Sequence, residues 1–345
     1  MTLCLVIKMK KESETMNQNL TNGQIYRKTL TFSLRRLLFN FVMVIIVVGL
    51  STGGFILTDR MVGQGLYGLG VGFIIACVLV AILAHFFSYV LKAGQIAVMT
   101  KAVTEDKLPD DVYGEGKRIV KERFVTVALY YAATSLIKGI FNELGKIITK
   151  VGEAVGGDTG GTVGSAISAV INTIIAYLCD CCLGWVFYRR EIGAFKATCE
   201  GAVIFFKHGK TFLKNMGRVF GIGLASLLAI GGAFFGVFYV ILLQFPGSIE
   251  RISQEIKELS TGGEPNKWID ILSNPTSLTI AIGVILAFIL WSIVHSTFVK
   301  PFVLVGVLRN YMASAVQDIP DESEFSILEK HSKKYRKYKE KNAME

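Results

Sequence analysis

Runs of about 20 apolar residues recur along the whole of this 345-residue chain, and no other feature constrains its fold as strongly. Five stand out: Leu37 to Leu57, Leu66 to Leu91, Ala166 to Tyr188, Val219 to Leu243 and Leu278 to Val299. At a rise of about 1.5 Å per residue, each is long enough to cross a hydrocarbon core of about 30 Å. The runs are continuous rather than alternating, so helices are expected and not the strands of a barrel. Composition agrees. The chain is 52% hydrophobic and 19% charged, where a soluble domain carries roughly 45–50% and about 25%. A soluble globular enzyme, a disordered chain and a disulfide-stapled secreted domain are excluded.

The net charge of +10 is first a topology signal. A sixth run, Phe124 to Leu144, contains Lys138 and Glu143, so hydropathy alone does not decide whether it spans. With six spans and an internal N-terminus, the cytoplasmic segments 1–36, 92–123, 189–218 and 300–345 hold 30 of the 37 Lys and Arg. Dropping the sixth span would carry Arg189 and Arg190 to the outside, against the positive-inside tendency. An amphipathic helix lying in the interface is the other reading of Phe124 to Leu144.

The expected architecture is therefore an all-α polytopic membrane protein, with about six transmembrane helices and amphipathic cytoplasmic helices. Residues 1–36 form a cytoplasmic N-terminal segment, 37–306 the six-span domain with an exterior loop at 245–277, and 307–345 a basic cytoplasmic tail. Both termini are cytoplasmic. No cleavable signal peptide is evident, and Met1, Met9 and Met16 are all candidate starts.

Between the spans, three stretches have character. Gly152 to Gly164 reads as a flexible outer loop; no Gly-Lys-Ser/Thr follows, so it is not a phosphate loop. Ile249, Ile252, Ile256 and Leu259 fall at helical spacing, so Ser248 to Leu259 reads as an amphipathic helix on the outer face. Ile192 to Asn215 interleaves phenylalanines with Lys196, Lys207, Lys210 and Lys214, as a helix resting among anionic headgroups would. The tail from Lys330 to Lys341 carries seven basic residues and reads as a solvated, topology-fixing segment. Lipid or RNA contact is its alternative, and no nucleic-acid-binding motif accompanies it. Glycine pairs four apart (Gly68/Gly72, Gly217/Gly221, Gly232/Gly236) let helix backbones approach closely, within the chain or across a homo-oligomer.

Asp180 is the residue most suggestive of chemistry. An aspartate inside a span costs about 2.5–3.5 kcal/mol on insertion scales, so it must face a cavity or a partner. Ala166, Ala169, Thr173, Tyr177, Asp180 and Gly184 share one stripe, and Thr126, Tyr130, Thr134 and Lys138 form a second at i, i+4 spacing. Phe288, Trp291, His295 and Phe298 make an aromatic face on the last span. A buried carboxylate opposite aromatic rings suits an ammonium group through charge pairing and cation–π attraction. The candidate substrate-binding residues are accordingly Asp180, Tyr177, Thr173, Tyr130, Trp291 and His295. His85 and His295 could also relay protons with Asp180. Cys179, Cys181 and Cys182 splay over different helix faces, so they do not make a closed metal site by themselves. No catalytic motif is present, and neither a metal, a cofactor nor an enzyme activity is expected.

From about Tyr113 onward the layout resembles the choline transporter-like family. The resemblance lies in Val163-Gly-Ser-Ala-Ile-Ser, in Ala194-Phe-Lys-Ala-Thr-Cys-Glu-Gly-Ala and in Phe302-Val-Leu-Val-Gly-Val-Leu-Arg-Asn. It implies a carrier for a small, choline-like cation, and no family binding residue is transferred with it. The expected function is a transporter or permease with Asp180 as counter-ion, its partners being membrane lipids and the solute. The alternative is a non-transporting scaffold or accessory subunit bound to a membrane partner protein.

Overall fold

A computed structural model of the chain describes residues 20–124, 127–156, 162–260 and 267–342, and every described element is helical. The helices are α1 (Asn22–Val62), α2 (Gly65–Glu105), α3 (Val112–Arg123), α4 (Val127–Gly156), α5 (Thr162–Tyr188) and α6 (Ala194–Ser226). They continue as α7 (Gly232–Leu242), α8 (Pro246–Ser260), α9 (Lys267–Leu272), α10 (Pro275–Val294), α11 (Lys300–Gln317), α12 (Ser326–His331) and α13 (Lys333–Asn342). Wider π turns, Leu227–Gly231 and His295–Val299, join α6 to α7 and α10 to α11. The chain forms two compact units: Met1–Gly217 with Pro301–Glu345, and Arg218–Lys300.

Four helical stretches are long and apolar enough to cross a membrane: Asn22–Val62, Gly65–Ala84, Val219–Leu242 and Pro275–Gln317. The described apolar part of α5, Asn172–Tyr188, is shorter.

The first unit is built on the α1–α2 hairpin. Thr21 starts α1 through a capping box, accepting from the Gln24 amide while the Gln24 side chain accepts from the Thr21 amide. Gly63 ends it with φ of 73°, a left-handed geometry that glycine adopts without steric cost. Each helix has 41 residues, about 60 Å at 1.5 Å per residue, or roughly twice the hydrocarbon thickness. The two ends of the hairpin differ accordingly. From Leu34 to Phe87 most of the described large apolar side chains point outward, as lipid-facing helices require, whereas Ile25, Phe32 and the apolar residues between Leu91 and Val103 are almost wholly buried in protein.

Gly54, Gly68 and Gly72 set the distance between α1 and α2. A Cβ on Gly68 would lie 2.1 Å from the Gly54 carbonyl oxygen, and one on Gly72 would lie 2.3 Å from that of Leu50. The Gly68/Gly72 pair therefore packs within the chain. Gly232 and Gly236 face open space.

Around the buried end of the hairpin, α3, α4, α5, the first half of α6 and α11 complete a core. Phe32, Phe124, Phe141, Trp185, Phe187 and Tyr311 are its largest fully buried side chains. Burying such a side chain contributes about 1.5–3 kcal/mol. Two expectations are corrected here. Residues 197–205 of α6 are enclosed by protein, so this part of the basic helix does not rest among headgroups. The tail is helical and docked, with Leu328, Ser332 and Tyr335 buried, rather than solvated throughout. α11 runs continuously across position 306, and Val303 to Val305, Leu308, Tyr311 and Met312 are buried in the same core.

The second unit pairs α7 with α10. Asn274 caps α10 by accepting from the Thr276 and Ser277 amides, with Pro275 in the first turn. The amphipathic helix expected over Ser248 to Leu259 is present as α8, with Ile249 buried.

Candidate functional site

The sequence directs attention to Asp180, and the structure surrounds it with side chains from four helices. Asp180 lies on α5 with 3% of its surface exposed. Its Oδ1 is 2.7 Å from Nζ of Lys92 on α2. Lys92 directly follows the apolar run ending at Leu91, so the ion pair lies where the greasy part of α2 gives way to its protein-buried end. Arg36 of α1 interacts electrostatically with both Asp180 and Tyr130 of α4. Its Nη2 donates to Gln95 Oε1 at 3.3 Å, and Gln95 Nε2 donates to Ser33 Oγ at 3.2 Å and to the Thr29 carbonyl at 3.4 Å. Tyr177 and Tyr130 are buried beside this group, at 2% and 4% exposure.

The arrangement has a definite electrostatic character: one carboxylate faces a lysine at contact distance and an arginine within electrostatic reach. A carboxylate in low dielectric is stabilised when an opposite charge and hydrogen bonds replace its water. Lys92 supplies that charge from within the chain. Asp180 is thus already countered, and an incoming ammonium would have to compete with Lys92.

The structure distributes the expected site residues between two units. Asp180, Tyr177 and Tyr130 belong to one cluster in the first unit; Thr173 is on the same helix, nearly two turns before Asp180, and partly exposed. Trp291 and His295 belong to the second unit. There their rings lie 5.1 Å apart, Phe288 follows Trp291 at 5.3 Å, and Trp291 Nε1 donates to Ser226 Oγ at 3.3 Å. Thr126 and the side chains of Ala166, Ala169 and His85 lie outside the described residues, as do the side chains of 163–168.

Sequence reasoning missed Lys92, Arg36 and Gln95. Lys92 and Arg36 each border an apolar run. Their positions at the ends of neighbouring spans were the available signal.

A second buried carboxylate lies nearby in sequence. Glu200 of α6 accepts from Trp185 Nε1 at 3.1 Å and lies 3.4 Å from Arg189 Nη2. Burial pushes its carboxyl above the ordinary value, outweighing Arg189 and the Trp185 bond, which act the other way. Burial also pushes the neighbouring Cys199 thiol up to about 12, so it is not a thiolate near neutral pH. Cys179, Cys181, Cys182 and Cys199 are buried and form no disulfide. Among the described residues no group of three or more His, Cys, Asp or Glu side chains could hold a metal ion.

Comparisons with protein-family models, with curated proteins and with solved structures found no match to this chain.

Proposed function

We propose that this chain is a multi-pass membrane protein of about six spans, with both termini cytoplasmic, that works as a non-transporting scaffold or accessory subunit of a membrane complex. The observation that carries this reading is the 2.7 Å contact between Lys92 and Asp180. The carboxylate that looked like a counter-ion for a solute has one in the chain. In this reading Lys92, Arg36, Gln95 and Asp180 fix how α1, α2 and α5 seat on one another. The outward-facing apolar lengths of α1 and α2 meet lipid or the membrane helices of a partner.

A second reading, transport of a small solute, draws on the convergence of Arg36, Lys92, Gln95, Tyr130, Tyr177 and Asp180. Two cations beside one carboxylate suit a solute with an anionic group better than choline. The choline-like substrate and the likeness to choline transporter-like proteins belong to this second reading.

Purified protein in mild detergent and in proteoliposomes separates the two. If the ion pair is structural, Asp180→Asn and Lys92→Met each cost about 1–3 kcal/mol of stability, below the range for a fully buried pair because Lys92 is 36% exposed. The double variant Lys92→Met/Asp180→Leu then recovers most of the loss. Wild-type proteoliposomes take up no solute above empty vesicles, across ammonium, amino-acid and organic-anion panels. Saturable uptake that the stable double variant lacks would establish the carrier instead.

A further inference from the structure

The basic stretch of α6 ends immediately before the apolar run that begins at Val219. Between Lys196 and Arg218 it carries Lys196, Lys207, His208, Lys210, Lys214 and Arg218. A cluster of basic residues next to a span on the cytoplasmic side is the usual recognition element for anionic lipid headgroups. The structure shows that part of this element is already occupied. The segment after α11, Asp318-Ile-Pro-Asp-Glu-Ser-Glu324, brings three carboxylates onto it.

Lys207 Nζ lies 2.7 Å from Asp318 Oδ1 and 2.7 Å from Glu324 Oε1. His208 Nε2 is 3.1 Å from Asp318 Oδ2, and Lys196 pairs with Glu322. The acidic segment is shaped for this contact. Asp321 starts a short 3₁₀ turn, Glu322–Phe325, through a capping box in which Glu324 accepts from the Asp321 amide at 3.0 Å. Pro320 is buried, and Leu328 and Tyr335 anchor the chain beyond. The segment is tethered on both sides, so its carboxylates act at high effective concentration.

We propose that the acidic segment Asp318–Glu324 is an intramolecular latch on the basic stretch of α6, and that anionic lipid headgroups displace it. The contacts are solvent-accessible ion pairs, individually weak and screened by salt. A bilayer surface offering many anionic phosphates competes with them, whereas a neutral bilayer leaves them closed. The lysines lower the ordinary pKa of Asp318, Glu322 and Glu324, in keeping with carboxylates held charged against them. Opening the latch would free Lys196, Lys207 and His208 on the protein and the acidic segment for other contacts.

The test compares the full chain in nanodiscs of phosphatidylcholine and in nanodiscs containing an equal part of phosphatidylglycerol. Amide hydrogen exchange is read over 318–325, with the interior of α11 as reference. Exchange in 318–325 is expected to rise about fivefold in the anionic discs, with α11 unchanged. Asp318→Asn/Glu324→Gln should exchange fast in both lipids. Equal exchange of the wild-type segment in the two lipids overturns the latch without recourse to a variant. So does a double variant that still responds to phosphatidylglycerol as wild type does. Inorganic phosphate added to the neutral discs is the third arm; if it opens the segment as well as phosphatidylglycerol does, the assignment to lipid is overturned.

Discussion

Glu200 shows how burial and pairing contend at one residue. Its folded-state pKa is raised, so the folded protein holds this proton more readily than the unfolded chain. The stability it contributes is fully present below the unfolded value of about 4.3 and is lost as pH rises through the raised folded value. Glu200→Gln removes the titration and keeps an oxygen to accept from Trp185. The variant is expected to unfold a few degrees higher than wild type at neutral pH, about 2–4 °C per kcal/mol, with the gap closing as pH falls through the raised folded value toward the unfolded one. Thermal unfolding in detergent across that range decides it; a Gln variant less stable at neutral pH would show that the Arg189 pair outweighs desolvation. Asp180 was legible in the sequence as a costly residue needing a partner. Lys92 was not, because 88 positions separate them and only the packing of α2 on α5 brings them together.

At the level of elements, the α1–α2 hairpin is the most sharply specified piece. Its two helices touch where glycines remove side chains, and a new Cβ on Gly68 would meet both the Gly54 carbonyl and Thr58 Oγ1 at 2.1 Å. Gly68→Ile is expected to cost about 1–3 kcal/mol through overpacking and to expose the hairpin to limited proteolysis. Gly70→Ala, two residues away and facing open space, should leave both readouts unchanged. Equal effects of the two substitutions would indicate helix propensity rather than contact. Spacing showed that Gly68 and Gly72 share a face, but it could not say whether that face meets another molecule or the same chain. The π turns at Leu227–Gly231 and His295–Val299 were not legible at all. Their residues are ordinary helix formers and apolar or small polar side chains, and a widened turn depends on what packs beside it.

For the whole molecule, the charge distribution makes a topology prediction. Reporters fused after Gly157 and at Gly193 should report opposite sides of the membrane, exterior and cytoplasmic, if α5 crosses. Gly193 is exposed in the short connection between α5 and α6, with open space beside its Cα. Both reporters on the cytoplasmic side would leave α4 and α5 as a hairpin that does not span. The four long apolar stretches are unaffected by that outcome.

Hydrophobic runs, charge bias and glycine spacing are local properties, and they determined that the chain is helical, where its long apolar stretches lie, and that Asp180 requires a partner. What that partner is depended on three-dimensional packing. Lys92, the carboxylates that cover Lys207, and the burial of residues 197–205 and Tyr335 all join positions remote in sequence. A one-dimensional pattern records how greasy a side chain is and how often it recurs. It does not record which distant charge the folded backbone sets within 3 Å of it.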